Sequence, residues 1–499
     1  MTGFDVIETT IGDVHDAYET GELTCSELVE TYLDRIEAYD RNGPELNSVV
    51  TVNPSATERA AELDETYESS GPVGPLHGIP IVVKDQVETA DVTTTFGSEG
   101  FADYTPAADA TLVERLNEAG AVILAKTNLP DWATSWFGYS SVAGRTKNPY
   151  ALDRDPGGSS SGTGAAVAAN LGTIGIGEDT GGSIRLPAAY NDLFGVRVTP
   201  GLISRAGMSP LVTPQDTPGP MARTAEELAI VLDVVVGYDP ADEDTAVTEL
   251  ASDESYVDGL AADALDGARI GVLRDAFGDA DDPDAGPVTR RVDTAIETMA
   301  DAGAEIVDQV SIPDLEEHLD VTSLYIAQSK RDLNEFFADR LDGPVDSVSE
   351  LYDSNQYHEV LDLFVGIAED GLEDPEDDPE YWRKVAGQAA FQRDVLGVYA
   401  EHDLDALVCP DVQVVSPLAE AIEAGELDTL TFPTNTVIAS QSGCCAVSVP
   451  AGLTDNGLPV GVELIGKPYD ERTVLSLAHA FDRETDLREP PETTPPLNE

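Results

Sequence analysis

Two glycine-rich turns, each holding serine, fall within residues 156–189, PGGSSSGTGAAVAANLGTIGIGEDTGGSIRLPAA. Generic phosphate loops do not fit this stretch. No Gly-Lys-Ser/Thr follows, so it is not a Walker A loop. Gly175, Gly177 and Gly181 space as GxGxxxG rather than the dinucleotide GxGxxG, and no GxSxG elbow is present. GGSSSG alone reads as a flexible turn. The second turn, Asp179-Thr180-Gly181-Gly182-Ser183, offers more. Its glycines let consecutive backbone N–H groups converge on one spot. Such a nest stabilises the oxyanion that forms when a carbonyl is attacked, and a serine at its end is placed as the nucleophile.

That serine needs a base. None of the six histidines (His15, His77, His318, His358, His402, His479) sits in a supporting motif, and His77 in PLHGIP reads as a satisfied loop histidine. Lys84 closes the apolar run GIPIVVK in a chain with few lysines. A desolvated lysine gives up its proton more easily, as a general base at neutral pH must. The plainer reading is a strand-end lysine that reaches solvent or pairs with Asp85.

The elements that must position these groups can be read from periodicity. Thr24 and Glu27 form a capping box ahead of a helix running to about Tyr39. Strands are expected over 78–84, 121–124, 270–273, 406–409 and 445–449. Helices are expected over 110–119, 165–170, 224–236, 287–302 and 473–481, with 157–164 as loop. Strand-helix alternation argues for an α/β layered fold. Acidic loops, DADDPDAG and EDGLEDPEDDPEYW, bracket helical segments near 319–341 and 356–369. This predicts one domain over 1–499, with its core at about 20–275 and 400–485. A helical insertion or cap fills about 280–400, and a disordered tail follows from about 489 to 499.

Composition excludes several classes. The 499 residues are 41% hydrophobic, and 95 acidic against 27 basic residues give a net charge of −68. A nucleic-acid binder needs a basic footprint that is absent here, and the same charge disfavours an anionic membrane surface. The ordinary apolar fraction argues against intrinsic disorder. Acid excess with only Lys84, Lys126, Lys147, Lys330, Lys384 and Lys467 resembles proteins of salt-in halophiles. Cys25, Cys409, Cys444 and Cys445 show no metal-ligand spacing, and the vicinal Cys444 and Cys445, in an apolar run, read as small core residues. No signal peptide and no membrane-spanning run is visible, so a cytoplasmic location is expected.

With these residues in view, the chain resembles the amidase signature family, serine hydrolases that use a Ser-Ser-Lys triad. The signature matches residues 157–187, and the upstream GxPxxxKD element matches 78–85. LDRIEAYD, LNSVVTVNPSA, AKTNLPDWA, NPYALDRDPGGSSSG, QDTPGPMARTAEELA and SVPAGLTDNGLPVGVELIG resemble further blocks, so the likeness spans roughly 20–240 and 400–485. The resemblance implies a mixed, twisted β-sheet core covered by helices on both faces. It implies Ser183 as nucleophile, Ser159 as a bridging serine after a cis peptide bond, and Lys84 as base. The N–H groups of Thr180, Gly181, Gly182 and Ser183 would form the oxyanion hole, braced by Asp179 and Arg185. Trp132, Ala133 and Trp136 fall where the family lines its substrate channel, or else are core aromatics. No metal or organic cofactor is implied.

The leading expectation is a free-standing amidase acting on a small carboxamide, monomeric or homodimeric. The alternative is the glutaminase (A) subunit of a tRNA-dependent aspartyl/glutamyl amidotransferase, working with partner subunits. Two departures stand near the site. Ser161 replaces a common glycine and would stiffen its turn. Glu178 replaces a small residue before the Asp, either as a surface change or as a local charge at the site.

Overall fold

The computed structural model describes residues 4–252, 254–340 and 345–497. Its strands are β1 (Val49–Val52), β2 (Pro80–Lys84), β3 (Val122–Thr127), β4 (Tyr139–Ser140), β5 (Gly144–Arg145), β6 (Ile174–Asp179), β7 (Phe194–Arg197), β8 (Thr217–Ala222), β9 (Arg269–Leu273), β10 (Glu305–Val310), β11 (Ala406–Pro410), β12 (Ala446–Leu453) and β13 (Pro459–Ile465). Eleven of them form one sheet in the order β1-β3-β2-β6-β8-β7-β12-β13-β11-β9-β10, while β4 and β5 pair separately. The sheet is mixed. β2 lies parallel to both β3 and β6, whereas β6 pairs antiparallel with β8.

Side-chain alternation shows that both faces are covered. Along β11, Ala406 and Val408 join one hydrophobic core, and Leu407 and Cys409 join another. Period-two alternation sends neighbours to opposite faces, so a strand buried on both reads as a continuous apolar run. The first core takes in the helices Cys25–Arg35, Ala225–Val235 and Ala285–Asp301; the second takes in Pro379–His402. The Thr24 capping box forms, with the hydroxyl accepting from the Glu27 N–H and the Glu27 carboxylate accepting from the Thr24 N–H.

Three local expectations are corrected. Residues 161–164 are not loop, because the helix Ser161–Ala168 begins there. Its glycines serve close approach rather than freedom: a Cβ on Gly162 would lie 2.2 Å from the Ser48 carbonyl oxygen. The stretch 280–400 is not wholly a helical insertion. β10 within it extends the sheet edge parallel to β9, and the helices beyond it are Leu315–Thr322, Tyr325–Arg340, Val348–Ser354, Asp362–Asp370 and Pro379–His402. The last was masked by its acidic lead-in, although Asp378 caps it with Pro379 in its first turn. The tail over 489–497 is ordered. Arg35 donates to the Thr494 and Pro495 carbonyls at 2.9 and 3.0 Å, and Thr493 donates to the Pro149 carbonyl at 2.5 Å. Prolines 490, 491, 495 and 496 reduce the entropy that ordering removes, and a buried guanidinium needs the acceptors. Residues 498 and 499 lie outside the described ones.

Candidate active site

β2 and β6 are parallel neighbours with Val83 opposite Ile176, so both chains leave the sheet along one edge. Carboxyl ends of parallel strands are where α/β folds place their sites. Lys84 is the last residue of β2, and the turn 180–183 follows β6 directly. The Gly158–Ser159 peptide bond is cis, and the Ser159 loop feeds the helix Ser161–Ala168. Ser160 ties the two serine turns together. Its N–H donates to the Ser183 carbonyl at 3.2 Å, and its hydroxyl donates to the Glu178 carbonyl at 3.2 Å.

Lys84 Nζ lies 2.7 Å from Ser159 Oγ, 3.3 Å from the Glu178 carbonyl oxygen and 3.3 Å from Glu178 Oε2. Asp85 faces elsewhere, with its carboxylate 3.7 Å from Lys126 Nζ and accepting from Thr95 Oγ1 at 2.5 Å. Burial pushes the Lys84 ammonium below its ordinary range, against the opposing pull of Glu178, Asp179 and Asp216. Glu178 is wholly buried, so it is a charge at the site and not a surface change. Burial raises its carboxyl to about 7, with Lys84 pulling the other way.

The turn after β6 is held from outside. Among the described residues, the N–H groups of Gly181, Gly182 and Ser183 meet no protein acceptor. They are therefore free to bind an oxyanion. Gly182 has φ +143°. A Cβ there would stand 1.8 Å from Thr436 Oγ1, and one on Gly181 would stand 1.9 Å from the Tyr325 hydroxyl. Asp179 accepts from Arg185 Nη2 at 3.0 Å and Nε at 3.1 Å, from Arg197 Nη1 at 2.9 Å and from the Ile184 N–H at 3.1 Å. Burial alone would raise this carboxyl, but the two guanidiniums outweigh it and hold it down at about 2.

A family model described as Amidase matches residues 27–475. The chain belongs to the amidase family. The A subunit of glutamyl-tRNA(Gln) amidotransferase from Geobacter metallireducens is 34% identical over 502 residues, covering 96% of this chain and 98% of that one. A peptide amidase solved in complex with the competitive inhibitor chymostatin is 34% identical, with TM-score 0.86 over 97% of this chain and 99% of its own. Native peptide amidase from Stenotrophomonas maltophilia matches with the same identity and coverage at TM-score 0.85. The mixed sheet sheathed in helices is thus the amidase fold.

Around this amidase core the structure separates the three channel candidates. Trp132 is core: its ring stacks on Phe96 at 4.9 Å and meets Phe337 edge-on at 4.7 Å. Ala133 is buried beside it with φ +62°. Trp136 instead reaches the second turn, 2.9 Å from where a Gly181 Cβ would stand, with its ring edge-on to Tyr325. Sequence reasoning missed Arg197, Asp216, Tyr325, Thr436 and Glu463. Arg197 and Glu463 carried a signal, as charged residues at the end of one apolar strand and within another; Glu463 Oε1 accepts from Arg185 Nη1. Four of the five lie far from the motif in sequence or on the middle helices, where no spacing rule links them to it. Among the described residues, no group of His, Cys, Asp and Glu is arranged to hold a metal, and no helix is long and apolar enough to cross a membrane.

Proposed function

We propose that this chain hydrolyses carboxamide C–N bonds through an acyl-enzyme on Ser183, with Ser159 and Lys84 as its proton relay. The observation that carries the reading is the 2.7 Å contact between Lys84 Nζ and Ser159 Oγ, buried beside the turn that ends in Ser183. Unprotonated Lys84 takes the Ser159 proton as Ser159 takes that of Ser183, whose Oγ bonds to the amide carbon. The N–H groups of Thr180, Gly181, Gly182 and Ser183 receive the oxyanion. Ser159 then protonates the departing nitrogen, the C–N bond breaks, and Lys84 returns a proton to Ser159. Water, deprotonated by the same relay, releases the carboxylate and restores Ser183.

Two substrates fit this chemistry. The curated relative matched over 98% of its length is the A subunit of an amidotransferase, which supports glutamine as the amide, with ammonia passed to a partner subunit. This reverses the order expected from the sequence alone. The peptide amidases, alike over 97% of this chain, support a free-standing enzyme acting on small or peptide carboxamides.

The deciding experiment measures ammonia release by the purified chain in molar KCl. Substrates are glutamine, aliphatic and aromatic amides and C-terminally amidated peptides, with Ser183→Ala as control. Turnover of simple amides that vanishes in the control supports the free-standing reading. Glutamine turnover that rises on adding tRNA and the other amidotransferase subunits supports the multi-subunit reading. Ammonia release that survives Ser183→Ala overturns both.

A further inference from the structure

Lys84 Nζ has three acceptors, and two of them belong to Glu178: its carbonyl oxygen and its carboxylate Oε2, each at 3.3 Å. An ammonium carries three N–H donors, one for each of these and one for Ser159 Oγ at 2.7 Å. When the amine loses the proton that faces Ser159, the other two N–H groups stay on Glu178. The lone pair is then aimed at the Ser159 hydroxyl. A carboxylate that aims the base also resists its deprotonation, because an anion beside a buried ammonium favours the charged form.

We propose that Glu178 is a positioning residue for the reaction: its carboxylate clamps the Lys84 amine toward Ser159 and sets the pH above which that amine is free to act. The inference rests on the reading of Lys84 as the base.

The surroundings reinforce the effect. Thr180 Oγ1 lies 3.0 Å from Glu178 Oε1 and 2.6 Å from Asp216 Oδ1, a chain of oxygens leading away from the lysine. Asp179 on the same strand adds negative charge, and Arg197 and Tyr325 are close enough to Glu178 to interact with it electrostatically. Glu178 and Asp216 line an open cavity of about 320 Å³ with Arg205, Asp242, Asp332 and Glu335. Burial drives both members toward their neutral forms, and Glu178 opposes this on Lys84.

The test is the pH profile of kcat/KM for wild type, Glu178→Gln and Glu178→Ser, with Lys84→Met as control. Gln keeps an acceptor but no charge, and Ser removes the charge and is too short to bring its oxygen to the amine. The acidic limb is expected to move to lower pH by about one unit or more in both variants, since the anion that held the proton is gone. Ser should also lower the plateau, because nothing then fixes the second N–H. Either variant suffices if the other fails to fold. An acidic limb that stays in place, or moves up, while Lys84→Met is inactive overturns this proposal and leaves the base assignment standing. Wild-type-like turnover by Lys84→Met overturns the assignment itself.

Discussion

Thr436 Oγ1 donates a 2.8 Å hydrogen bond to the carbonyl of Gly181, joining a residue of the C-terminal third to the turn that ends in Ser183. Thr436 stands immediately before the helix Val437–Ser442, and Ser440 on that helix accepts from Arg185 Nη2 at 2.8 Å. The turn is thus gripped from both its carbonyl side and its bracing arginine. Among the described residues, the Gly181, Gly182 and Ser183 N–H groups are left without a protein acceptor.

Gly182→Ala tests this grip. The new Cβ would meet Thr436 Oγ1 at 1.8 Å, and φ +143° disfavours any side chain. The expected result is a folded protein with kcat reduced about 10²-fold or more, the scale of losing one oxyanion donor. Far-UV circular dichroism and steady-state kinetics on one preparation suffice. Unimpaired turnover would mean that the turn moves freely, and the oxyanion assignment would fall.

Removing the relay should separate chemistry from binding. Lys84→Met is expected to cut kcat by about 10²–10⁴-fold, the range for one general base, with KM little changed. Ser183→Ala should eliminate the covalent acyl adduct that intact-mass spectrometry detects on a slow ester or amide substrate. An adduct persisting in Ser183→Ala would move the nucleophile elsewhere.

Much of this site was legible because its chemistry is local in sequence. The turn 179–183 carries its glycines, the proposed nucleophile Ser183 and Asp179 in five residues, and the strand ending at Lys84 announces itself by its β-branched apolar run. Fold class followed from the same periodicity. What sequence could not reach was tertiary. Arg197 completes the Asp179 cluster from a strand that is not the neighbour of β6, and Tyr325 arrives from the middle helices. Ser161, expected to stiffen a turn, opens a helix instead. Glycine content misled at 161–164 because flexibility and close packing select the same residue, and only the neighbouring Ser48 and Asn128 backbone distinguishes them.

The tail offers a stability prediction. Deleting 489–499 strips Arg35 of the Thr494 and Pro495 carbonyls while leaving those of Ala169 and Asn170, at 2.9 and 2.8 Å. A buried guanidinium with half its acceptors gone should cost about 1–3 kcal/mol, read as a lower urea midpoint. Ala169 and Asn170 directly follow the helix that begins beside Ser159, so activity should become more heat-sensitive as well. An unchanged midpoint would show that the tail adds nothing.

The charge of −68 predicts salt dependence. At 0.1 M salt the Debye length is about 10 Å and at 1 M about 3 Å, so self-repulsion across an acidic surface fades over that range. Tm should climb from 0.1 to 2 M KCl, and choline chloride should reproduce most of the gain if screening is the cause. A flat Tm would mean that repulsion does not limit this fold.

Asp179 gives the sign of the acid response. Its carboxyl sits at about 2 in the folded protein, below its ordinary 3.8, because Arg185 and Arg197 prevail over burial. A depressed carboxylate contributes stability that is fully present above about pH 4 and is lost as pH falls through 2. The size is about 2 kcal/mol, from 1.36 kcal/mol per unit. Asp179→Asn should cost about 3–5 kcal/mol at neutral pH, since it leaves two buried guanidiniums without their shared anion. The gap between wild type and variant should then narrow between pH 4 and pH 2, measured by denaturant unfolding at each pH. A gap that stays constant across that window would mean that the arginines do not hold Asp179 ionised, and the brace would act by shape alone.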